Sequence, residues 1–142
     1  MLLDDLSLLK SIFVQLARAV GSLHNEAGYA HMDIKLENIL ISNEGHVKLC
    51  DFGFSTYATN SISKILGTQS YMAPEIYNSR TSPCNAKMTD VFSLGVLFFI
   101  LAFGAPPFHS AQMNDQYFKF MRMRPGSLDF FKFHPHTKTL YK

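Results

Sequence analysis

The stretch His31-Met32-Asp33-Ile34-Lys35-Leu36-Glu37-Asn38, with Asp51-Phe52-Gly53 beginning 13 residues after Asn38, decides how this chain reads. A carboxylate, an ammonium two residues on and an amide five residues on stand just before a strand-like segment. Two β-rich runs, Asn38–Ser42 and His46–Cys50, flank the turn residues Asn43-Glu44-Gly45, the pattern of a small hairpin. A hairpin brings its ends together, so Asn38 and Asp51 are expected to be neighbours. Two oxygen-bearing side chains there suit a hard cation that keeps some waters and shares phosphate oxygens, which points to Mg²⁺.

Working towards the N-terminus, Leu6, Leu9, Phe13, Leu16, Val20 and Leu23 recur at spacings of three and four, which predicts an amphipathic helix from about Asp5 to Asn25, ended by Gly28. On the other side, Phe54 to Ser70 is crowded with Ser, Thr, Asn and Gly and reads as a long loop. Ala73-Pro74-Glu75 and a polar connection to Lys87 follow, then an apolar helix from about Thr89 to Phe103. Asp115 to Met123 reads as a further helix stopped by Pro125-Gly126, and Phe130 to Lys142 shows no clear period.

Composition sets the bounds. The chain has 142 residues, 47% of them apolar and 17% charged, with a net charge of +2, the balance of one soluble globular domain. That charge is too mild to imply a nucleic-acid partner. Cys50 and Cys84 form no C-x-x-C pair, which fits a reducing, intracellular compartment, expected here to be the cytoplasm. Met1-Leu2-Leu3 followed by Asp4 and Asp5 does not read as a targeting segment, and Val91–Ala105, at 15 residues, is too short for a membrane span and reads as a buried core helix. No membrane partner is expected. The chain has no Trp.

The motifs, taken in order, resemble those of the larger, C-terminal lobe of a protein kinase. His31 to Asn38 reads H-M-D-I-K-L-E-N against the family's H-R-D-L-x-x-x-N, and D-F-G stands at 51–53. A-P-E closes the segment Gly67-Thr68-Gln69-Ser70-Tyr71-Met72-Ala73-Pro74-Glu75. Asp90-Val91-Phe92-Ser93-Leu94-Gly95 is similar to the family's D-V-W-S-L-G helix, with Phe92 in place of the Trp, and Gly104-Ala105-Pro106-Pro107-Phe108 is similar to the G-x-x-P-F after it. Five ordered matches over most of residues 6 to 123 are specific. The fold implied is mainly α, an incomplete kinase-like C-terminal lobe whose small β-hairpin carries the catalytic loop and D-F-G, with residues 1–142 forming a single partial kinase domain.

The resemblance implies transfer of the ATP γ-phosphoryl group to a protein substrate, a reaction in which positioning and charge neutralisation do most of the catalysis. Asp33 matches the aspartate that orients the substrate hydroxyl and accepts its proton, and Lys35 the lysine that meets the transferring phosphoryl. Thr68 matches the threonine lining the acceptor site. Asn38 and Asp51 match the two Mg²⁺-holding positions. Leu40 matches the apolar floor under adenine, and Glu37 is placed with Lys35, Asn38, Leu40 and Asp51 along the ATP site. Asp90 matches an aspartate that receives backbone N–H bonds from the catalytic loop. Lys35 and the G-T-x-x-Y-M-A-P-E segment resemble the serine/threonine branch, nearest its calcium/calmodulin-regulated type.

Several departures bear on activity. Met32 stands where the family's Arg pairs with a phosphate on the activation loop, and a thioether makes no charge-assisted bond. No Gly-rich loop, V-A-I-K lysine or helix glutamate precedes Leu6, and Glu75 has no visible late Arg to pair with. The chain alone is therefore expected to bind nucleotide weakly and to turn over negligibly, a chain or segment supplying the N-lobe being an expected partner. The alternative is a catalytically inactive kinase-like protein-binding module. His134-Pro135-His136 is not expected to hold zinc, Cys50 is expected to be a buried small hydrophobe, and His24 and His46, the latter on a strand, read as structural histidines.

Overall fold

The apolar periodicity near the N-terminus becomes the helix α1, Leu6–Asn25, in the computed structural model, which describes residues 6–126 and 128–137. The expected helix start at Asp5, the reading of residues 1–5 and the end of the C-terminal stretch at 138–142 lie outside them. The buried face of α1 is Leu9, Ile12, Leu16, Val20 and His24. It is turned from the expected stripe: Leu6 is 67% exposed, and Phe13 sits at the margin, stacked on Phe98 at 4.2 Å. A run of four-residue steps drifts around a 3.6-residue helix, so Ile12 and His24 face inward.

The second long helix, α2, Ala86–Phe103, begins three residues earlier than the apolar run suggests. The reason is a cap: the Asn85 side chain accepts a hydrogen bond from the Met88 N–H, satisfying a donor that the first turn leaves unpaired. Gly104, at φ 76°, closes the other end in the left-handed conformation that a Cβ disfavours. Both α1 and α2 are long and apolar enough to cross a membrane by length and composition. In the fold α2 is the core helix expected from the sequence: Leu94, Val96 and Leu97 join Ile12, Leu16 and Val20 of α1 with Ile34, Tyr71, Phe108, Ala111 and Phe118 in the main core. Each such aliphatic side chain contributes about 1.5–3 kcal/mol on burial. Phe92, in the Trp position, packs against this core and lies 6.0 Å from the Phe108 ring. Two shorter helices, α3 (Gln116–Met123) and α4 (Asp129–Phe133), close the C-terminal side. The aperiodic last stretch thus still holds a helical turn, built on Phe130.

Among the described residues, six short strands form three separate antiparallel pairs. β2 (Ile39–Ile41) and β3 (Val47–Leu49) are the expected hairpin, shorter than read because Asn38 belongs to the single 3₁₀ turn Leu36–Asn38 before it. His46 lies in the exposed turn, not on the strand as expected. The other two pairs organise the long segment read as a loop. β1 (Tyr29–Ala30) pairs with β4 (Thr56–Tyr57), and β5 (Ser61–Ile62) with β6 (Cys84–Asn85). Two-residue strands have no period to read, and their partners lie more than 20 residues away.

Candidate active site

The catalytic loop is held from beneath by one buried carboxylate. Asp90, in the first turns of α2, accepts the His31 backbone N–H at 2.7 Å and the Met32 N–H at 2.8 Å, while His24 of α1 meets the same carboxylate at 2.8 Å. Asp90 and His24 are both buried, so α1, α2 and the loop are joined at one point. Met32 sits at φ 69°, a region costly for a residue with a Cβ, and the Asp90 bonds on either side of that turn hold it there. The backbone role expected of Asp90 is thus present. His24 is more than a structural filler, but its partner is 66 residues away, and no local signal marks the pair.

That anchoring presents Asp33, itself buried, with its carboxylate fully engaged. Oδ1 accepts the Thr68 hydroxyl at 2.8 Å, and Oδ2 meets the Lys35 ammonium at 2.7 Å and the Asn38 amide at 3.2 Å. Lys35 also donates to Thr68 Oγ1 at 3.1 Å, closing a triangle. Burial pushes Asp33 up, but Lys35, the Thr68 hydroxyl and Asn38 together hold it below the usual carboxylate range. The same pair raises Lys35 above the usual ammonium value, with Asp33 as the main cause. A carboxylate so held accepts a proton weakly, so its main service to a hydroxyl is orientation.

Thr68 reaches the loop because Gly67, at φ 106°, lets the chain pass close: a Cβ there would meet the Met32 carbonyl oxygen at 3.1 Å. Tyr71 adds a second tie that the sequence did not reveal, its hydroxyl accepting the Leu36 N–H at 3.3 Å while Ser93 of α2 donates to its carbonyl at 2.8 Å. Only the position of Tyr71 within the quoted motif could have pointed to it.

On the far side of the hairpin, the Cys50 N–H donates to the Asn38 carbonyl at 3.0 Å, so Asn38 and Asp51 are brought together as expected. Asn38 spends its amide nitrogen on Asp33, on the backbone oxygen at 2.8 Å and on Oδ2, which turns its carbonyl oxygen to other use. Asp51 is exposed at φ 61°, with one oxygen accepting the Gly53 N–H at 3.2 Å. An amide oxygen and an open carboxylate are a donor set that fits Mg²⁺ completed by phosphate and water. Among the described residues no three His, Cys, Asp or Glu side chains cluster as a metal cage. Leu40, on β2, is 56% exposed, and Glu37 is exposed on the 3₁₀ turn. Phe52 packs on the His31 ring at 4.9 Å. Cys50 is half-buried, short of the expected burial, because it lies at the end of β3 leading to the open Asp51.

Comparison with known proteins gives the family. The family model described as "Protein kinase domain" matches residues 5–139. The chain is 36% identical over 123 residues to the serine/threonine-protein kinase CHK1 of Saccharomyces cerevisiae, covering 82% of this chain and 23% of that protein. It is 36% identical over 107 residues to a probable cAMP-dependent protein kinase catalytic subunit of Encephalitozoon cuniculi, covering 75% of this chain and 32% of that one. With the developmentally-regulated protein kinase 1 of Dictyostelium discoideum it shares 41% over 105 residues, 72% of this chain and 14% of the relative. The chain therefore spans a third or less of these relatives' lengths.

Proposed function

We propose, from the premise that the chain belongs to the protein kinase family and to its serine/threonine type, that residues 6–137 carry the acceptor side of a phosphoryl-transfer site. The reaction is transfer of the ATP γ-phosphoryl group to a Ser or Thr hydroxyl of a protein substrate. The observation that carries this is the Asp33–Lys35–Thr68–Asn38 network, built in place on Asp90.

Asp33 receives the substrate hydroxyl at Oδ1, the position Thr68 holds in the free chain, orients it and takes its proton as the new O–P bond forms and the bond from the γ-phosphorus to the β,γ-bridging oxygen breaks, ADP leaving. Lys35, already within reach of both Asp33 and Thr68, faces the negative charge of the transferring group. Asn38 and Asp51 would hold Mg²⁺, which when bound would neutralise phosphate charge. Leu40, with its exposed face, and Glu37 line the nucleotide side. Groups from a further chain or segment complete that side, and the 142-residue chain alone binds MgATP weakly and turns over negligibly. A reducing, cytoplasmic setting suits its two free cysteines.

Met32 supports a regulatory reading. It is buried among Ile62, Ala73, Ile76 and Cys84, with the Thr89 hydroxyl 3.3 Å from its sulfur, a neutral seat for the activation segment. Loop phosphorylation then does not act through position 32. Equal phosphate dependence of the wild type and Met32→Arg, with a phosphate touching residue 32, would overturn this.

A second reading, a kinase-like docking module without turnover, is favoured by the exposed apolar surface of Leu40, Ile41 and Phe52. Thermal shift with MgATP and phosphate-transfer assays of the wild type and Asp33→Asn separate the two. Mg²⁺-dependent nucleotide binding lost in Asp51→Ala supports the kinase reading, and indifference to both nucleotide and metal supports the docking module.

A further inference from the structure

Tyr29, just before the catalytic loop, and Tyr57, in the activation segment, face one another across the β1–β4 ladder in direct register. Their rings stack with centroids 5.1 Å apart and planes inclined by 27°. Both lie at the surface, Tyr29 40% and Tyr57 60% exposed. Among the described residues this is the one ring contact between two tyrosines. Tyr71 is buried, Tyr77 and Tyr117 are half-buried, and the ring contacts of Tyr117 are with Phe133 and His134. Beside the ladder the Ala58 N–H donates to the Gly28 carbonyl at 2.9 Å and the Ser55 hydroxyl to the His31 carbonyl at 3.4 Å, so the segment after Gly53 is seated here by a two-residue pair and its flanking bonds, a marginal arrangement.

We infer that Tyr29 and Tyr57 form an oxidative cross-linking site, at which a one-electron oxidant of the peroxidase–hydrogen peroxide class joins the two phenols and staples the activation segment to the strand that enters the catalytic loop. Each phenol loses one electron and one proton, and hydrogen peroxide takes up both pairs to give two waters. The two ring radicals combine through a new bond between their ortho carbons. The hydrogen on each joined carbon then moves to oxygen, restoring two phenols. The product is two hydrogens lighter than the starting chain. Stacking favours coupling within the chain because the partner ring is already in place, an effective concentration that a second molecule in dilute solution does not match. Tyr57, as a hydrogen-bond partner and then as a neighbouring charge, raises the Tyr29 phenol above its ordinary value, in keeping with the close approach of the two rings.

The test is brief treatment of the dilute 142-residue chain with peroxidase and hydrogen peroxide, followed by dityrosine fluorescence, intact mass and tryptic mapping. The expected product is monomeric, two hydrogens lighter, with a bond joining the peptides that span residues 19–35 and 49–64. Tyr29→Phe and Tyr57→Phe each keep the stacked rings and are expected to lose this product entirely. In the cross-linked chain, amide exchange at Ala58 is expected to slow at least tenfold. Coupling through other tyrosines, dimers as the sole product, or an undiminished yield from either Phe variant would overturn the inference.

Discussion

The two sides of the β2–β3 hairpin are built differently. On the acceptor side, Asp33, Asn38, Asp90 and His24 are buried, and each is tied to named partners within the chain. On the proposed nucleotide side, Asp51 accepts the Gly53 N–H two residues on, and Leu40 and Phe52 are about half exposed. Burying a charge requires partners, so the acceptor side had to be assembled on folding. An exposed carboxylate such as Asp51 keeps its hydration and needs no such partners. The difference separates groups tied into the fold from groups left open at the surface, although both kinds stand in one set of motifs.

The comparison breaks most visibly at Asp90. Asp90→Ala leaves two loop N–H groups and the His24 ring without their buried acceptor, and is expected to cost about 3–5 kcal/mol, read by urea denaturation. A loss below about 1 kcal/mol would show that the acceptor side is not anchored there. Next, Gly67→Ala places a Cβ against the Met32 carbonyl at an unfavourable φ and is expected to cost about 1–2 kcal/mol. Its loss should exceed that of Gly53→Ala, because the Gly53 backbone lies outside the left-handed region.

How much of this was legible in the sequence follows from what each feature depends on. The long helices declared themselves by apolar spacing, and the hairpin by its turn residues, because both are local. β1, β4, β5 and β6 did not, since a two-residue strand exists only through a distant partner. Asp33, Lys35 and Asn38 lie within one octet, but Thr68 is 35 residues from Asp33 and was placed through the family resemblance alone. His24 and Tyr71 had no such guide to their roles. Leu6 was read onto the buried face because an idealised stripe ignores the drift of a real helix.

A pH experiment sharpens the contrast further. Asp33 is depressed in the fold, so its stabilising contribution is complete above the ordinary carboxylate value and is lost as pH falls through its lower folded value. Lys35→Met should remove most of that acid-side dependence, whereas Asp51→Asn should leave it intact. Burial also lowers His134, which packs among the rings of Phe99, Tyr117 and Phe130 and whose buried Nδ1 has no hydrogen-bond partner among the described residues. Its contribution is present above the ordinary histidine value, about 6.5, and declines as pH falls from there towards the folded value. His134→Phe is expected to flatten stability between neutral and mildly acid pH. The smallest effect belongs to Asp51→Ala, expected to change stability by within about 0.5 kcal/mol because no buried group depends on it.

The most direct test of a built acceptor side beside an open nucleotide side is calorimetric titration of ATP into the 142-residue chain, with and without Mg²⁺, for the wild type, Asp51→Ala and Asp33→Asn. The account expects weak binding that requires Mg²⁺, disappears in Asp51→Ala and persists in Asp33→Asn, with negligible phosphate transfer in every case. Tight, metal-independent binding, or turnover like that of ordinary kinases abolished by Asp33→Asn, would contradict it.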